Sequence, residues 1–335
     1  MLPDERRFVE RPVVEDAALP SLSAVLDGSA LSAHLGEYLP AEVRDPADFE
    51  VRLLRHHAGK RCVLELTWWA DTRPLAYIAK VYAKDRSDVH LVMDGIRHAG
   101  LRGEFSIPDA TAYVDELRLH LQERVDGRPA TEALLSDDVA ERGAAAERCA
   151  TWLAAFHGVG LRTGKRVDLE SRLMSAERWT GRLTRFGGTM ADKALELLDR
   201  VLSAEAALPA TDLCTIHGDY SHHQVLFADG RTVTVDWDKH RLSDPADDVA
   251  RFVVGLQRLA KRRRGSMQAL DATAERFLET YRAAAACDLS ARVPSHRALI
   301  CMEHAKHDVH KQSPGWRERA VAALDEGLRV LAEGG

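Results

Sequence analysis

Apolar positions recur with different periods in the two halves of this chain. Before residue 126 the apolar runs are short, and Arg52–His57 and Arg61–Trp69 read as two strands joined at Ala58-Gly59-Lys60. After the Asp126-Gly127-Arg128-Pro129 turn the chain becomes rich in Ala, Leu and Arg. There Val139–His157, Lys193–Ala207 and Val249–Ala260 repeat apolar residues at helical spacing. These patterns predict an irregular, Pro- and acid-containing lead-in over 1–30, a strand-rich unit over 31–126 and a mainly helical unit over 127–335, an α+β chain. A hairpin breaks the helical half. Gln224-Val225-Leu226-Phe227 is short and mostly apolar, Thr232-Val233-Thr234-Val235 alternates, and Asp229-Gly230 between them tolerates the positive φ of a tight turn.

Chemistry-bearing residues gather at the open end of this hairpin. His217, Gly218 and Asp219 precede its first strand, and Asp236 follows its second. A three-residue loop over 229–231 would set Gln224 directly opposite Asp236, with Cβ atoms roughly 4.5–5.5 Å apart. A two-residue loop would slip the register and turn the two side chains to opposite faces. Convergence on one ion therefore favours the longer loop. An amide oxygen and a carboxylate meeting at one mouth suit a hard cation, which prefers oxygen ligands and retains waters and phosphates.

Composition narrows the partners. The 335 residues are 45% hydrophobic, enough for two cores. The net charge of −6 gives no footprint for nucleic acid or an anionic membrane. No apolar run approaches the roughly 20 residues of a membrane span. The charged start Met1–Arg7 is not followed by the apolar core of a signal peptide. Five cysteines share no metal or redox spacing, which together with the charged start predicts a cytoplasmic protein with reduced thiols.

The ordered motifs resemble the aminoglycoside phosphotransferase-like branch of the protein-kinase-like fold. His217-Gly218-Asp219, then Val235-Asp236-Trp237-Asp238, then Asp244-Pro245-Ala246 with Asp248 match that family's pattern, with Gln224 where Asn is usual. Tyr77–Tyr82 resembles the strand whose lysine, here Lys80, holds the nucleotide α- and β-phosphates. Leu119–Gly127 resembles the hinge whose main chain, near Glu123 and Val125, binds adenine, and Leu153–His157 resembles the end of a helix common in the family. The phosphate-covering loop is the poorest match: one glycine stands in the 58–60 turn, with Lys60 and Arg61 as phosphate contacts or as parts of a solvated turn. The acid that pairs with the nucleotide lysine in many kinases is not evident, with Asp88 and Asp94 of the 88–97 helix as candidates.

The resemblance implies a bilobal fold and an ATP-dependent O-phosphotransferase, with GTP a possible donor, acting on a small hydroxylated acceptor such as an aminoglycoside, amino sugar, sugar or amino alcohol. Asp219 would take the hydroxyl proton and His217 brace its loop. Gln224 and Asp236 would hold Mg²⁺, and Asp248 would tie the following helix to the loop. Asp238, two residues beyond Asp236 along a strand, would point to the same side. Two other classes stay open: a nucleotide-binding pseudokinase regulating a partner, and a metal-dependent hydrolase built on the loop containing His222 and His223. No Cys or second His spacing of a zinc site accompanies those histidines. Lys261–Arg264 reads first as a solvated helix end that complements the helix dipole, with binding of an anionic substrate as the alternative. His304, His307 and His310 read as a surface or acceptor-pocket face.

Overall fold

A computed structural model of the protein describes residues 15–43, 45–70, 73–209 and 211–333. The charged start Met1–Arg7 lies outside the described residues. The chain divides into two compact units, one holding the residues up to His98 with Ile107–Asp126, the other Ala99–Ser106 with Gly127 onward.

The first unit is built on an antiparallel sheet. Helices α1 (Leu22–Leu26) and α2 (Gly28–Leu35) lead into strands β1 (Phe49–His57), β2 (Arg61–Trp69) and β3 (Pro74–Tyr82), then helix α3 (Ser87–His98). The short strand β4 (Phe105–Ser106) belongs to the second unit, and β5 (Ala110–Val114) and β6 (Leu119–Glu123) complete the first, in sheet order β1-β2-β3-β6-β5. Side chains of β2 alternate between buried and half-buried, the signature of a sheet with one face in the core. Leu64, Leu66, Ala79, Val81, Leu119 and Leu121 line that core, and Leu22, Val25, Leu31 and Leu35 cover it. The lead-in is therefore not irregular through residue 30. Its spaced leucines are a short helical face whose burial outweighs the Pro and acidic residues around it.

The second unit is mainly helical. After β7 (Arg128–Pro129) come α4 (Ala130–Leu134), α5 (Val139–Gly158), α6 (Leu169–Leu183) and α7 (Gly188–Ala206). Strands β8 (Cys214–Ile216), β9 (Val225–Ala228), β10 (Arg231–Thr234) and β11 (Arg241–Ser243) follow, then α8 (Ala246–Arg264), α9 (Asp271–Ala284), α10 (Val293–Lys311) and α11 (Trp316–Glu333). The expected helices are all present, and α8 extends to Arg264, where Gly265 in the left-handed region ends it. Helices α6, α7, α10 and α11 enclose one apolar core. A separate aromatic group, Trp152, Phe156, Tyr220, Trp237 and Phe252, fills the space beneath the hairpin, with Trp152 and Tyr220 stacked at 5.5 Å. All five cysteines are free. Among the described residues no helix is long and apolar enough to cross a membrane.

Candidate active site

Two crossing loops form the site. Residues 217–224 join β8 to β9, and 235–240 join β10 to β11; each loop is anchored at both ends because β8 pairs with β11 and β9 with β10. The hairpin turn is two residues, not three. Ala228 pairs with Arg231, and Asp229 and Gly230 both take positive φ, at 42° and 76°. Gln224 therefore lies across from Val235, whose N–H donates to its carbonyl at 2.9 Å. The alternation rule that favoured a longer loop does not reach Asp236. The strand ends at Thr234, and Asp236 itself is left-handed at φ 65°, ψ 65°. Few residues besides Gly and Asn or Asp occupy that region, and strain held there accompanies functional sites. Asp238 lies in the one-turn 3-10 helix Trp237–Lys239, so the same-face argument from a strand does not apply to it.

The first half of the 217–224 loop is pinned from below. The Asp248 carboxylate, in the first turn of α8, accepts the main-chain N–H of His217 at 2.6 Å and of Gly218 at 2.8 Å. Burial pushes the Asp248 carboxyl up, yet His157 and His217 bring it below the ordinary range, so it stands as a carboxylate. His217 is fully buried, with Nε2 donating to the Val235 carbonyl at 3.0 Å and Nδ1 accepting the Asp219 N–H at 3.2 Å. These two bonds assign the Nε2–H tautomer. Gly218 takes φ 76°, and a Cβ there would run into the Lys239 carbonyl. The Tyr220 hydroxyl donates to the Cys149 carbonyl at 2.7 Å and fastens the loop to α5.

Sequence reasoning anticipated the Asp248 tie but not its neighbour. Asp247 is fully buried and meets Arg172, Arg241 and Arg251. Burial alone would raise its carboxyl; the three guanidinium groups hold it well below the usual range. The Asp244–Asp248 run signalled acids at a helix start, and Arg251 follows Asp247 by four residues on α8, but Arg172 of α6 and Arg241 of β11 come from separate elements, which no local pattern reveals.

Asp219 faces outward. Its side chain is 28% exposed, and Lys239 approaches it at 3.0 Å. Beside it opens a cavity of about 110 Å³ lined by the 219–223 segment, Arg251, Gly255, Arg258 and Arg262 of α8, and His304 of α10. His222 and His304 are each lowered by burial to about 3 and are neutral at physiological pH. His222 Nδ1 also meets the Thr131 hydroxyl at 2.7 Å, and His223 meets Ser221. Among the described residues no group of three or more His, Cys, Asp and Glu is arranged to hold a metal ion. Gln224 is buried and Asp236 half-buried, and their amide and carboxylate oxygens are the donor types Mg²⁺ takes.

The other expected residues belong to the first unit. Lys80 is buried on the central strand β3, between Val63 of β2 and His120 of β6. Asp88 pairs with Arg86 and Asp94 with His98; the α3 side chain whose ring packs against His120, at 5.6 Å, is His90. Lys60 is exposed in the β1–β2 turn, where the Gly59 N–H donates to Asp16 at 2.8 Å. Glu123 ends β6 and donates its N–H to the Asp109 carbonyl at 2.8 Å. Val125 follows it, half-buried, and makes no main-chain hydrogen bond among the described residues.

Comparison with known proteins gives this geometry a family. The profile of the phosphotransferase enzyme family matches residues 63–292, and the chain belongs to that family. It is 32% identical over 176 residues to the viomycin phosphotransferase of Streptomyces vinaceus, a match covering 49% of this chain and 60% of that protein. Its fold is similar to that of a choline/ethanolamine kinase family protein from Mesorhizobium loti, with a TM-score of 0.62 and 17% identity over 92% of this chain and 97% of the other. It is also similar to the amicoumacin kinase hAmiN in complex with AMP-PNP, Ca²⁺ and Ami, with a TM-score of 0.57 and 16% identity over 84% of this chain and 88% of that one. The α+β chain, an antiparallel-sheet unit followed by a helical unit, has the protein-kinase-like fold.

Proposed function

We propose that this protein is an ATP-dependent O-phosphotransferase that moves the γ-phosphate to a hydroxyl of a small molecule. The observation that carries the reading is the Asp248 clamp. A buried carboxylate fixes two consecutive main-chain N–H groups and leaves the next residue, Asp219, as a half-buried, accessible carboxylate of a rigid loop beside a cavity. Phosphoryl transfer needs positioning and charge neutralisation more than covalent chemistry, and a fixed base at a cavity edge supplies the first. Asp219 accepts the acceptor hydroxyl's hydrogen bond and takes its proton as that oxygen attacks. His217 keeps the Asp219 main chain in place through Nδ1.

Gln224 and Asp236 are the residues that would hold Mg²⁺, which when bound neutralises charge on the donor phosphates. Their support is the main-chain bond joining Gln224 to Val235 and the left-handed turn at Asp236. In the first unit, Lys80 would hold the α- and β-phosphates from the sheet's central strand. Lys60 would approach them from the β1–β2 turn, and Glu123 and Val125 would bind adenine through the main chain. The domain assignment proposed with this reading is a lead-in over 1–30, whose Leu22 and Val25 cover the N-lobe core, a nucleotide-binding N-lobe over 31–126, of which Ala99–Ser106 group with the second unit, and a C-lobe over 127–335. A cytoplasmic location agrees with five free cysteines.

A screen of Mg²⁺-dependent ADP release, with ATP and with GTP, across hydroxylated metabolites and antibiotics tests the reading. Acceptor-dependent release is expected. Tight Mg²⁺-dependent nucleotide binding with no turnover on any acceptor would instead make the protein a pseudokinase. Turnover that needs a transition metal and no nucleotide would make it a hydrolase.

A further inference from the structure

The cavity beside Asp219 carries a surplus of positive charge, and its origin is local. Arg251 is matched by Asp247 at 3.2 Å and Glu303 at 2.8 Å. Arg258 is matched by Asp308 at 3.1 Å, although Asp308 is shared with Arg319 at 3.3 Å. Arg262 has no carboxylate within ion-pair distance among the described residues, and Asp308, the acid that acts on it, is already taken. Lys239 adds a further cation at the rim, paired with Asp219. The three lining arginines thus face the cavity with one acid among the lining residues, Asp219 itself. The histidines there bring hydrogen-bonding capacity without charge, since burial keeps His222 and His304 neutral.

The basic run at the end of α8 divides its work accordingly. Lys261 donates to the Gly265 carbonyl at 3.1 Å and closes off its own helix end, whereas Arg264 reaches across to the Leu135 and Ser136 carbonyls just past the end of α4. Arg262 is the member of the run that turns to the cavity. A solvated helix end explains Lys261 and the contact with α4 explains Arg264, but neither accounts for Arg262.

We infer that the acceptor of this phosphotransferase is an anionic hydroxylated compound, bearing a carboxylate or a phosphate, whose negative group sits against Arg258 and Arg262 while its hydroxyl meets Asp219. The inference rests on the phosphotransferase reading, which supplies the role of Asp219. A polycationic acceptor would set its ammonium groups against guanidinium groups, a like-charge contact that works against binding. The cavity, at about 110 Å³, is also well below the roughly 300–1,000 Å³ that encloses a drug-sized ligand, so it suits one head group. In the transfer step the acceptor oxygen bonds to the γ-phosphorus, the bond from that phosphorus to the bridging oxygen breaks, ADP leaves with the electron pair, and the proton passes to Asp219.

Four six-carbon sugar derivatives of different charge test this: gluconate, glucose 6-phosphate, neutral glucose and cationic glucosamine. Dissociation constants are measured by calorimetry on the full chain, with and without Mg²⁺ and AMP-PNP, for the native protein and Arg262→Glu. Arg262 is exposed at a helix end, and a thermal midpoint near native checks that the variant is folded. Either anion should bind more tightly than glucose, glucosamine should bind most weakly, and Arg262→Glu should weaken anion binding about tenfold while leaving AMP-PNP binding unchanged. Gluconate above glucose 6-phosphate identifies a carboxylate acceptor, and the reverse order a phosphate. Glucosamine binding as tightly as the anions, anion binding indifferent to Arg262→Glu, or no binding of any of the four overturns the inference. Absence of Mg²⁺-dependent AMP-PNP binding sinks the phosphotransferase reading separately, because anion preference is also measured without nucleotide.

Discussion

The 217–224 loop is built differently on its two sides. Before Asp219 every group is enclosed: His217 is fully buried, Gly218 is wedged against the Lys239 carbonyl, and Asp248 receives both main-chain N–H groups. From Asp219 onward the loop lines the basic cavity, with Tyr220, Ser221 and His222 buried along its wall and Asp219 the half-buried acid at its edge. Carboxylates on the enclosed side are spent on structure, because a buried charge persists only when hydrogen bonds and counter-ions surround it. A carboxylate that must accept a proton needs a rigid main chain and an open side chain. The two sides supply one each.

The largest effect is expected where the enclosed side has no slack. Gly218→Ala forces a side chain into a left-handed position that already touches main chain. The conformation alone costs about 1–2 kcal/mol, and the overlap adds about 1–3 kcal/mol. Thermal denaturation should show that loss together with loss of activity. A variant with the native midpoint and native turnover would mean that the enclosed side is not what positions Asp219.

Asp219→Asn is the matching test of the open side. Turnover should fall by about 10²–10⁴-fold, the contribution of a general base, while the thermal midpoint and AMP-PNP affinity stay near native. Asp248→Asn should do the reverse in stability, since one amide oxygen replaces a carboxylate that serves two N–H groups. If the two variants behave alike in both assays, the division between structural and reactive acids is wrong.

How much of this was legible in the sequence depends on range. Local signals fared well: Asp229-Gly230 marked the turn, and Val139, Val249 and their repeats marked α5 and α8. The loop length was misjudged because strand alternation was extended to Asp236, which a left-handed backbone removes from the strand. The short β4 was invisible, since two residues of strand, Phe105–Ser106, exist only because β10 lies beside them. Arg251 stands four residues after Asp247 on one helix, a readable pairing, but Arg172 and Arg241 gave no sign of sharing that partner because their meeting at Asp247 is tertiary. Charge runs were ambiguous for the same reason, and only packing separates Arg262 from Lys261 and Arg264.

Gln224 ends the loop where it runs into β9, and its effect should be intermediate. Gln224→Leu removes an oxygen donor while its main-chain bond to Val235 survives. Mg²⁺ dependence of AMP-PNP binding should weaken by at least about tenfold and turnover should fall with it. Gln224→Asn keeps the amide oxygen and should retain substantial activity. An unchanged Mg²⁺ titration in the Leu variant removes Gln224 from the proposed metal site.

The smallest effect is expected at Lys239, and it separates contact from contribution. Lys239 reaches Asp219 at 3.0 Å, yet its own side chain is 59% exposed. Exposed ion pairs are worth about 0–1 kcal/mol and are screened by salt, so Lys239→Gln should leave stability within about 1 kcal/mol of native. The structural part of this residue is its carbonyl against Gly218, which the substitution retains. If Asp219 acts alone as the base, turnover should change by less than about fivefold, and the change should shrink as ionic strength rises. Turnover of Lys239→Gln measured at low and high salt with saturating acceptor decides the matter. A salt-independent loss of about 10²-fold would make the ammonium group part of the reacting assembly, and the open side would then hold a working pair rather than a single acid.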